Sequence, residues 1–301
     1  MRVLVGFFLF GAAVFSIMAG GIFLSVILGA ACMIGGKEFV DMARKKGIKP
    51  SARIVLGMIF AFHAVAALPA LPLSKWGIHL PSNFAMEHFP LLLTIGIYIS
   101  FFRLLFRHES PPATIADIAA TILGFIYVGW LPAHFVLLRN LSPAGVAPID
   151  NPLQQPGLAY VWASLFVIWA TDVFAYYAGK LFGKHLLYPL ISPKKTVEGA
   201  IGGLISAVFW ATVVVYLADN YLFACHPFNH NMWQAPLFGL VVSVAAQLGD
   251  LCESLLKRDA GLKDSSDYIP GHGGFLDRGD SLIMGGAISY YWVWLVVLGN
   301  I

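Results

Sequence analysis

The polar chemistry of this chain is concentrated between Ser254 and Ser281, SLLKRDAGLKDSSDYIPGHGGFLDRGDS. Ten acidic, basic or histidine side chains fall in these 28 positions: Lys257, Arg258, Asp259, Lys263, Asp264, Asp267, His272, Asp277, Arg278 and Asp280. The whole chain is only 12% charged, so such a local excess calls for a chemical explanation. Gly271, Gly273 and Gly274 let the backbone turn tightly and present N–H groups to an anion. Asp277 and Asp280 are three apart and share a face if the segment is helical. Oxygen ligands with room for water and phosphate suit Mg²⁺, not zinc. Cations interleaved with carboxylates can bind a polyphosphate together with its metal. Lys and Arg meet the phosphate oxygens directly, and the acids meet them through the ion.

Three other groups belong with this stretch. Asp172 lies inside an apolar helical segment, where a carboxylate is costly unless it is paired or faces a wet cavity. Tyr176 and Gly179 follow it at i+4 and i+7, on the same face. The segment Ile191 to Gly199 contains Lys194-Lys195, with Pro193 expected to set a turn and Thr196 and Glu198 at a helix start. Gly199, Gly202 and Gly203 permit close approach of a helix or a ligand. Asp250, Glu253 or Ser254, and Lys257 line one helical face, where a carboxylate and an ammonium can pair.

The elements that position these groups are membrane helices. The chain has 301 residues, is 58% hydrophobic and has a mean hydropathy of +0.76. Long apolar runs at this level indicate an all-α, polytopic integral membrane protein. About nine transmembrane helices are expected: 3–19, 20 to about 34 and onward past Glu38, 54–73, 91–106, 115–138, 158–181, 197–217, 235 to about 256, and 282–298. Met1 to Ala19 also has the make-up of a signal peptide. The second apolar run follows at once across Gly20-Gly21, which favours a retained hairpin.

With a cytoplasmic N-terminus, 17 of the 19 Lys and Arg residues fall on the cytoplasmic side; Lys75 and Arg139 fall on the other. The positive-inside rule therefore predicts N-in, C-out, with 254–281 facing the cytoplasm. The segment from Ser74 to Pro90 reads as an interfacial or re-entrant connector, and Arg139 to Gly157 as a Pro- and Gly-rich one. His226 and His230 suit a solvated loop better than a metal pair. Cys32, Cys225 and Cys252 are odd in number and widely spaced, so they signal neither disulfides nor zinc. The net charge of +3, spread among loops, does not indicate nucleic acid. Residues 1–157 read as an N-terminal scaffold of about five helices. Residues 158–301 read as a catalytic region of about four, the two forming one integrated membrane domain.

The run Ser254, Lys257-Arg258, Lys263-Asp264, His272-Gly273-Gly274 and Asp277-Arg278-Gly279-Asp280 resembles the signature of the phosphatidate cytidylyltransferase (CDP-diacylglycerol synthase) family. Thr171-Asp172 and Ser192 to Gly199 are similar to family segments as well. Gly279 departs from the usual aliphatic residue or Thr, and is expected to loosen the helix start.

The resemblance implies transfer of a cytidylyl group from CTP to phosphatidate, giving CDP-diacylglycerol and pyrophosphate. It implies Mg²⁺ dependence, with room for a second cation, and is compatible with a homodimer. CTP, phosphatidate and membrane lipid are the partners implied. The location is a bacterial-type inner or plasma membrane, or its organelle equivalent. Asp250, Asp277 and Asp280 are the implied metal ligands, and Lys257, Arg258, Lys263 and Arg278 phosphate ligands. Lys194, Lys195, Glu198, Asp264, Gly273 and Gly274 are implied at the nucleotide or headgroup. His272 is a phosphate ligand or, less well supported, a general base. Asp172 completes the metal site or organises Lys257.

Two alternatives fit less well. An ion path through Asp172 and Asp250 would need charge running across the membrane, whereas here it gathers on one side. A CDP-alcohol phosphotransferase would carry a longer Asp-x-x-Asp-Gly…Asp-x-x-x-Asp pattern, into which Asp277 to Asp280 does not extend.

Overall fold

A computed structural model describes residues 2–71, 80, 84–106, 112–143, 151–268 and 273–299, and the structural statements below concern these residues. Their helices are α1 (Arg2–Ala19), α2 (Gly21–Lys45), α3 (Ala52–Ala67), α4 (Phe84–Leu105), α5 (Ile115–Phe125), α6 (Leu131–Asn140), α7 (Pro156–Phe182), α8 (Val197–Leu217), α9 (Gln234–Asp259) and α10 (Leu276–Trp292). Eight helical segments are long and apolar enough to cross a membrane, with α5 and α6 counting as one. The protein is thus a helical, multi-pass membrane chain. The expected first span is α1, whose described apolar stretch, Phe10–Ala19, is shorter than the other eight.

Several boundaries differ from expectation for identifiable reasons. The fourth span begins at Phe84, not Leu91, and carries Pro90 inside it. Of the connector expected from Ser74, residues 74–79 and 81–83 lie outside the described residues. The fifth span is continuous from Ile115 to Asn140 but widens to a π-type turn at Ile126–Trp130, just before Pro132. Proline lacks an N–H and crowds the preceding turn, and a widened turn absorbs both effects.

A small exception to the all-helical pattern follows α7. Strands β1 (Leu186–Tyr188) and β2 (Ser192–Thr196) form an antiparallel hairpin with a bulge in its register. Pro193 lies in β2, not in the turn, which falls at 189–191. A two-stranded hairpin tolerates proline because both strands have an edge that needs no donor.

The chain groups into two compact units that differ from the 1–157 and 158–301 halves. One unit is Met1–Asn140 with Leu256–Gly279; the other is Leu141–Leu255 with Asp280–Ile301.

In the first unit, α1 and α2 form the expected hairpin, with positive φ at Gly20 and Gly21. Buried Arg139 closes it by donating from Nε to the Ile17 carbonyl at 2.9 Å. That bond satisfies a helix-end carbonyl that has no partner within α1. A side chain at Gly20 would strike the Arg139 guanidinium. The core centres on Phe62, which packs edge-on to Phe89 at 5.3 Å and stacks with Phe125 at 6.4 Å between ring centres.

In the second unit, α7 and α8 pack along Gly199, Gly202 and Gly203. A Cβ at Gly199 would lie 2.7 Å from the Ala175 carbonyl oxygen, and one at Gly203 2.9 Å from that of Thr171. The glycine run therefore serves helix–helix approach, as small residues do in membranes. Buried Asp219 holds the loop before α9 by accepting from the Phe228 and His230 amides at 2.7 Å each. His226 and His230 stack 4.1 Å apart in that turn, and no group of three potential metal ligands forms there.

Candidate active site

The residues singled out in the sequence fall into two clusters, one in each unit. In the first unit, α9 ends in its last turn with Lys257 and Arg258. The Leu262 amide reaches back to the Lys257 carbonyl at 2.8 Å and Gly261 takes a positive φ, a Schellman-type stop. Arg258 donates to the Leu262 carbonyl at 3.0 Å. Lys263 and Asp264 are exposed on the following loop. His272 lies outside the described residues, as do 269–271.

Asp277, in the first turn of α10, is the hub of this loop. Its Oδ1 accepts from Lys257 Nζ at 2.7 Å. Its Oδ2 accepts from the Ser265 amide at 2.8 Å, the Ser265 hydroxyl at 2.8 Å and the Gly274 amide at 2.9 Å. The Lys257–Asp277 pair is largely buried, with about a tenth of each side chain exposed. A carboxylate oxygen has about two lone-pair directions; three protein donors crowd Oδ2, and Oδ1 is held by Lys257.

Sequence reasoning missed the second anchor. Glu38, near the end of α2, is fully buried. Its carboxylate accepts from the Phe275 amide at 2.9 Å, the Leu276 amide at 3.0 Å and the Ser266 hydroxyl at 2.6 Å; Ser265 Oγ, whose one proton goes to the nearer Asp277, lies 3.2 Å away. Phe275 and Leu276 supply donors at the start of α10, where a helix leaves N–H groups without internal partners and favours negative charge. Glu38 therefore caps α10 from another helix. A Cβ at Gly274 would collide with Ser265 Oγ and lie 2.7 Å from both Glu38 oxygens, so glycine is required there. Gly273 has φ +78°, where glycine is likewise favoured. Gly279 does not loosen the helix: its amide bonds to the Phe275 carbonyl at 3.0 Å as an ordinary first-turn contact. The one signal for Glu38 in the sequence is its position as an acid in an apolar run, the rule that singled out Asp172.

The second unit holds a cavity of about 450 Å³. Asp172, Tyr176 and Lys180 of α7 line it, with Lys194 and Lys195 of β2 and Asp250 of α9. Asp172 thus opens onto a polar space and accepts from Ser281 Oγ at 3.2 Å. Lys195 Nζ meets Asp250 Oδ2 at 2.6 Å. Asp250 of α9 thus meets a cation of β2, and Lys257 of the same helix meets Asp277 of α10. Asp280 sits close by: its carbonyl packs against Gly249, next to Asp250. Its own carboxylate accepts from the Ser281 amide at 2.7 Å. Gln247, unremarked in the sequence, also lines the cavity and donates weakly, at 3.3 Å, to Ala200 O and Ser243 Oγ. Ser243 also accepts from Thr171 Oγ1 at 2.9 Å, so three helices are tied below the cavity floor.

Glu198 takes a structural position. It accepts from the Lys184 and His185 amides at 3.1 and 3.2 Å and pairs with His185 Nδ1 at 2.6 Å. Thr196 caps α8 through the Gly199 amide at 3.1 Å. Together they hold the base of the hairpin that presents Lys194 and Lys195.

The donor set suits a hard cation that keeps most of its shell for water and substrate. Among the described residues no three His, Cys, Asp or Glu side chains gather closely enough to enclose an ion. Mg²⁺ does not require that, because it commonly uses one or two carboxylates plus substrate phosphates. Asp172 and Asp250 face one cavity and act on each other electrostatically, and Asp280 lies beside them in the chain fold.

Comparisons with known proteins agree with the signature. The chain is 36% identical to a phosphatidate cytidylyltransferase of Synechocystis over 96% of both chains. It is 33% identical to the chloroplastic phosphatidate cytidylyltransferase 4 of Arabidopsis thaliana, over 92% of this chain and 68% of that one. A phosphatidate cytidylyltransferase of Staphylococcus haemolyticus is 33% identical over 89% of this chain and 88% of its own. The model of the cytidylyltransferase family matches residues 1–296, and the chain belongs to that family.

Proposed function

We propose that the protein transfers the cytidylyl group of CTP to phosphatidate, forming CDP-diacylglycerol and pyrophosphate. The observation that carries this reading is the cavity in which Asp172 and Asp250 meet Lys194, Lys195 and Lys180. Both carboxylates for a metal and cations for phosphate line one space in an apolar helical scaffold. The names of the relatives, and the family to which the chain belongs, supply the substrate pair.

The chemistry asks little of a general base. The phosphomonoester of phosphatidate is already an anion near neutral pH. One of its oxygens forms a bond to the α-phosphorus of CTP, and the bond from that phosphorus to the β-phosphate oxygen breaks. Pyrophosphate leaves with the bonding pair. The obstacle is bringing two polyanions together, which is overcome by positioning and by preset charge. Lys194 and Lys195 lower the repulsion in the cavity, and Lys195 is held at Asp250 until phosphate competes for it. Lys257, Arg258, Lys263 and Arg278 are further phosphate ligands in this proposal, with His272 donating to or orienting a phosphate.

Mg²⁺ supplies charge neutralisation of the triphosphate and of the departing pyrophosphate. Asp250 and Asp280 would hold it, with Asp172 completing the set, and Asp277 is the further ligand that the family signature implies. The reaction is assigned to the cytoplasmic face, on the strength of the Lys and Arg asymmetry. The diacyl chains then stay in the bilayer while CTP arrives from water.

The test is a purified-protein assay with labelled CTP and phosphatidate, with and without Mg²⁺. A lipid-soluble cytidine product that requires Mg²⁺, and is lost in Asp250→Asn while the variant still inserts, is the expected result. Product formation that is unaltered in Asp250→Asn would overturn the metal assignment. No product from either protein would overturn the reaction itself.

A further inference from the structure

The first unit contains a second cavity, of about 400 Å³, that the cytidylyl transfer does not use. Its lining includes Arg44 from the last turn of α2, Lys49 from the α2–α3 connection, Arg53 from the first turn of α3 and Arg103 from the last turn of α4. Four cations from three helix ends thus surround one space. All lie at the same end of these helices.

The helix dipole accounts for Arg44 and Arg103, because it favours a cation at a helix C-terminus. It does not account for Arg53. Helix α3 begins Ala52-Arg53, has no acidic residue in its first turn, and its N-cap Ser51 makes no side-chain capping bond. A cation in the first turn of a helix opposes the dipole, and the free amides there also favour an anion. Two acids reach lining residues of the cavity. Asp117 accepts from the Lys49 amide at 2.6 Å and the Thr114 amide at 2.9 Å. Asp41 meets Arg44 loosely at 3.5 Å and accepts from the Tyr268 hydroxyl at 3.1 Å. The first turn of α3 carries no acid of its own, and four cations line the cavity, so a phosphate would add the negative charge that this lining favours.

We propose that this cavity binds the phosphate of an anionic phospholipid headgroup, at a site separate from the one that performs cytidylyl transfer. Basic pockets among helix ends at a membrane surface are suited to such headgroups. Arg53 and the α3 amides would take the phosphate oxygens, while Arg44, Lys49 and Arg103 close around it. The inference stands on the first unit alone and does not depend on the proposed reaction.

The experiment uses the full chain, delipidated in zwitterionic detergent and titrated with phosphatidylglycerol, with bound lipid counted by native mass spectrometry. Phosphatidylglycerol is chosen because it lacks the phosphomonoester of the proposed substrate. Wild type is expected to retain one phosphatidylglycerol that the Arg53→Gln/Arg103→Gln variant binds roughly 10- to 30-fold more weakly. Lys195→Ala should leave that affinity unchanged, which separates this site from the catalytic cavity. Equal affinity in wild type and the double variant overturns the proposal. Should the double variant not fold, hydrogen exchange on wild type decides. Protection of the Ala52 and Arg53 amides on adding phosphatidylglycerol supports the site, and its absence refutes it. Inorganic phosphate forms the second arm: protection by phosphate but not by phosphatidylglycerol would make the occupant a soluble phosphate compound and refute the lipid assignment.

Discussion

Replacing Glu38 by Gln changes one oxygen into an NH₂ group and little else in shape. In the native protein the two oxygens share three donors, Ser266 and Phe275 on Oε1 and Leu276 on Oε2, with Ser265 Oγ beside Oε2 and its one proton on the nearer Asp277. A glutamine keeps one acceptor oxygen, so its amide nitrogen must face one of the two backbone N–H groups. That orphaned, buried donor costs about 1–3 kcal/mol, and the surviving bonds lose the strength that a charged acceptor gives them. A total near 3 kcal/mol is reasonable for the loop that Glu38 anchors. Each 1.4 kcal/mol is a factor of ten, so local opening of residues 273–279 rises on the order of a hundredfold. Hydrogen exchange at the Phe275 and Leu276 amides reads this directly. Turnover of CTP should fall at least tenfold (roughly, because the opened loop misplaces Asp277 and its neighbours), while membrane insertion is retained. Unchanged protection of those two amides in Glu38→Gln would refute the anchoring role. Lost turnover with unchanged protection would move Glu38 from positioning to some other task.

Four further outcomes follow from the geometry. Asp277→Asn strands Lys257 in a largely buried setting and should lower stability by about 3 kcal/mol, read as the thermal midpoint. Lys257→Met/Asp277→Asn should recover part of that loss, and strict additivity of the two single changes would argue against the pair. Gly274→Ala drives a methyl group into Ser265 and Glu38, so exchange protection of 273–279 should collapse; a well-tolerated alanine would contradict the packing described. Lys195→Ala removes the partner of Asp250 and should raise KM for CTP or phosphatidate several-fold with the fold intact, an effect absent if Lys195 is a membrane anchor only. Excess chelator should abolish product formation and added Mg²⁺ restore it, whereas turnover indifferent to chelator would sink the metal proposal.

Much of the architecture was legible because membrane helices announce themselves by long apolar runs. Helix α8 begins and ends at the expected residues, and α7 and α9 do so within a few. The misses have local causes. The fourth span starts early because Pro90 is accommodated in the helix and does not begin it. Pro193 was taken as a turn signal, although an edge strand accepts proline equally well. Among the site residues, Asp172, Lys194, Lys195 and Asp250 were expected as functional polar groups, and they line one cavity. Glu198, which the resemblance implies at the nucleotide or headgroup, pairs with His185 at the hairpin base.

Composition, the Lys and Arg asymmetry and the spacing from Ser254 to Asp280 by themselves determined the helical membrane class and pointed to phosphate and metal chemistry. These are properties of residue type and short separation, and need no knowledge of distant contacts. Only the tertiary structure decided which group each charge meets. Lys257 is held by Asp277, twenty residues on; Lys195 of a short strand meets Asp250 of α9; and Glu38 caps a helix that starts more than two hundred residues later. A buried charge must find a partner wherever the fold brings one, and sequence separation carries no record of that choice.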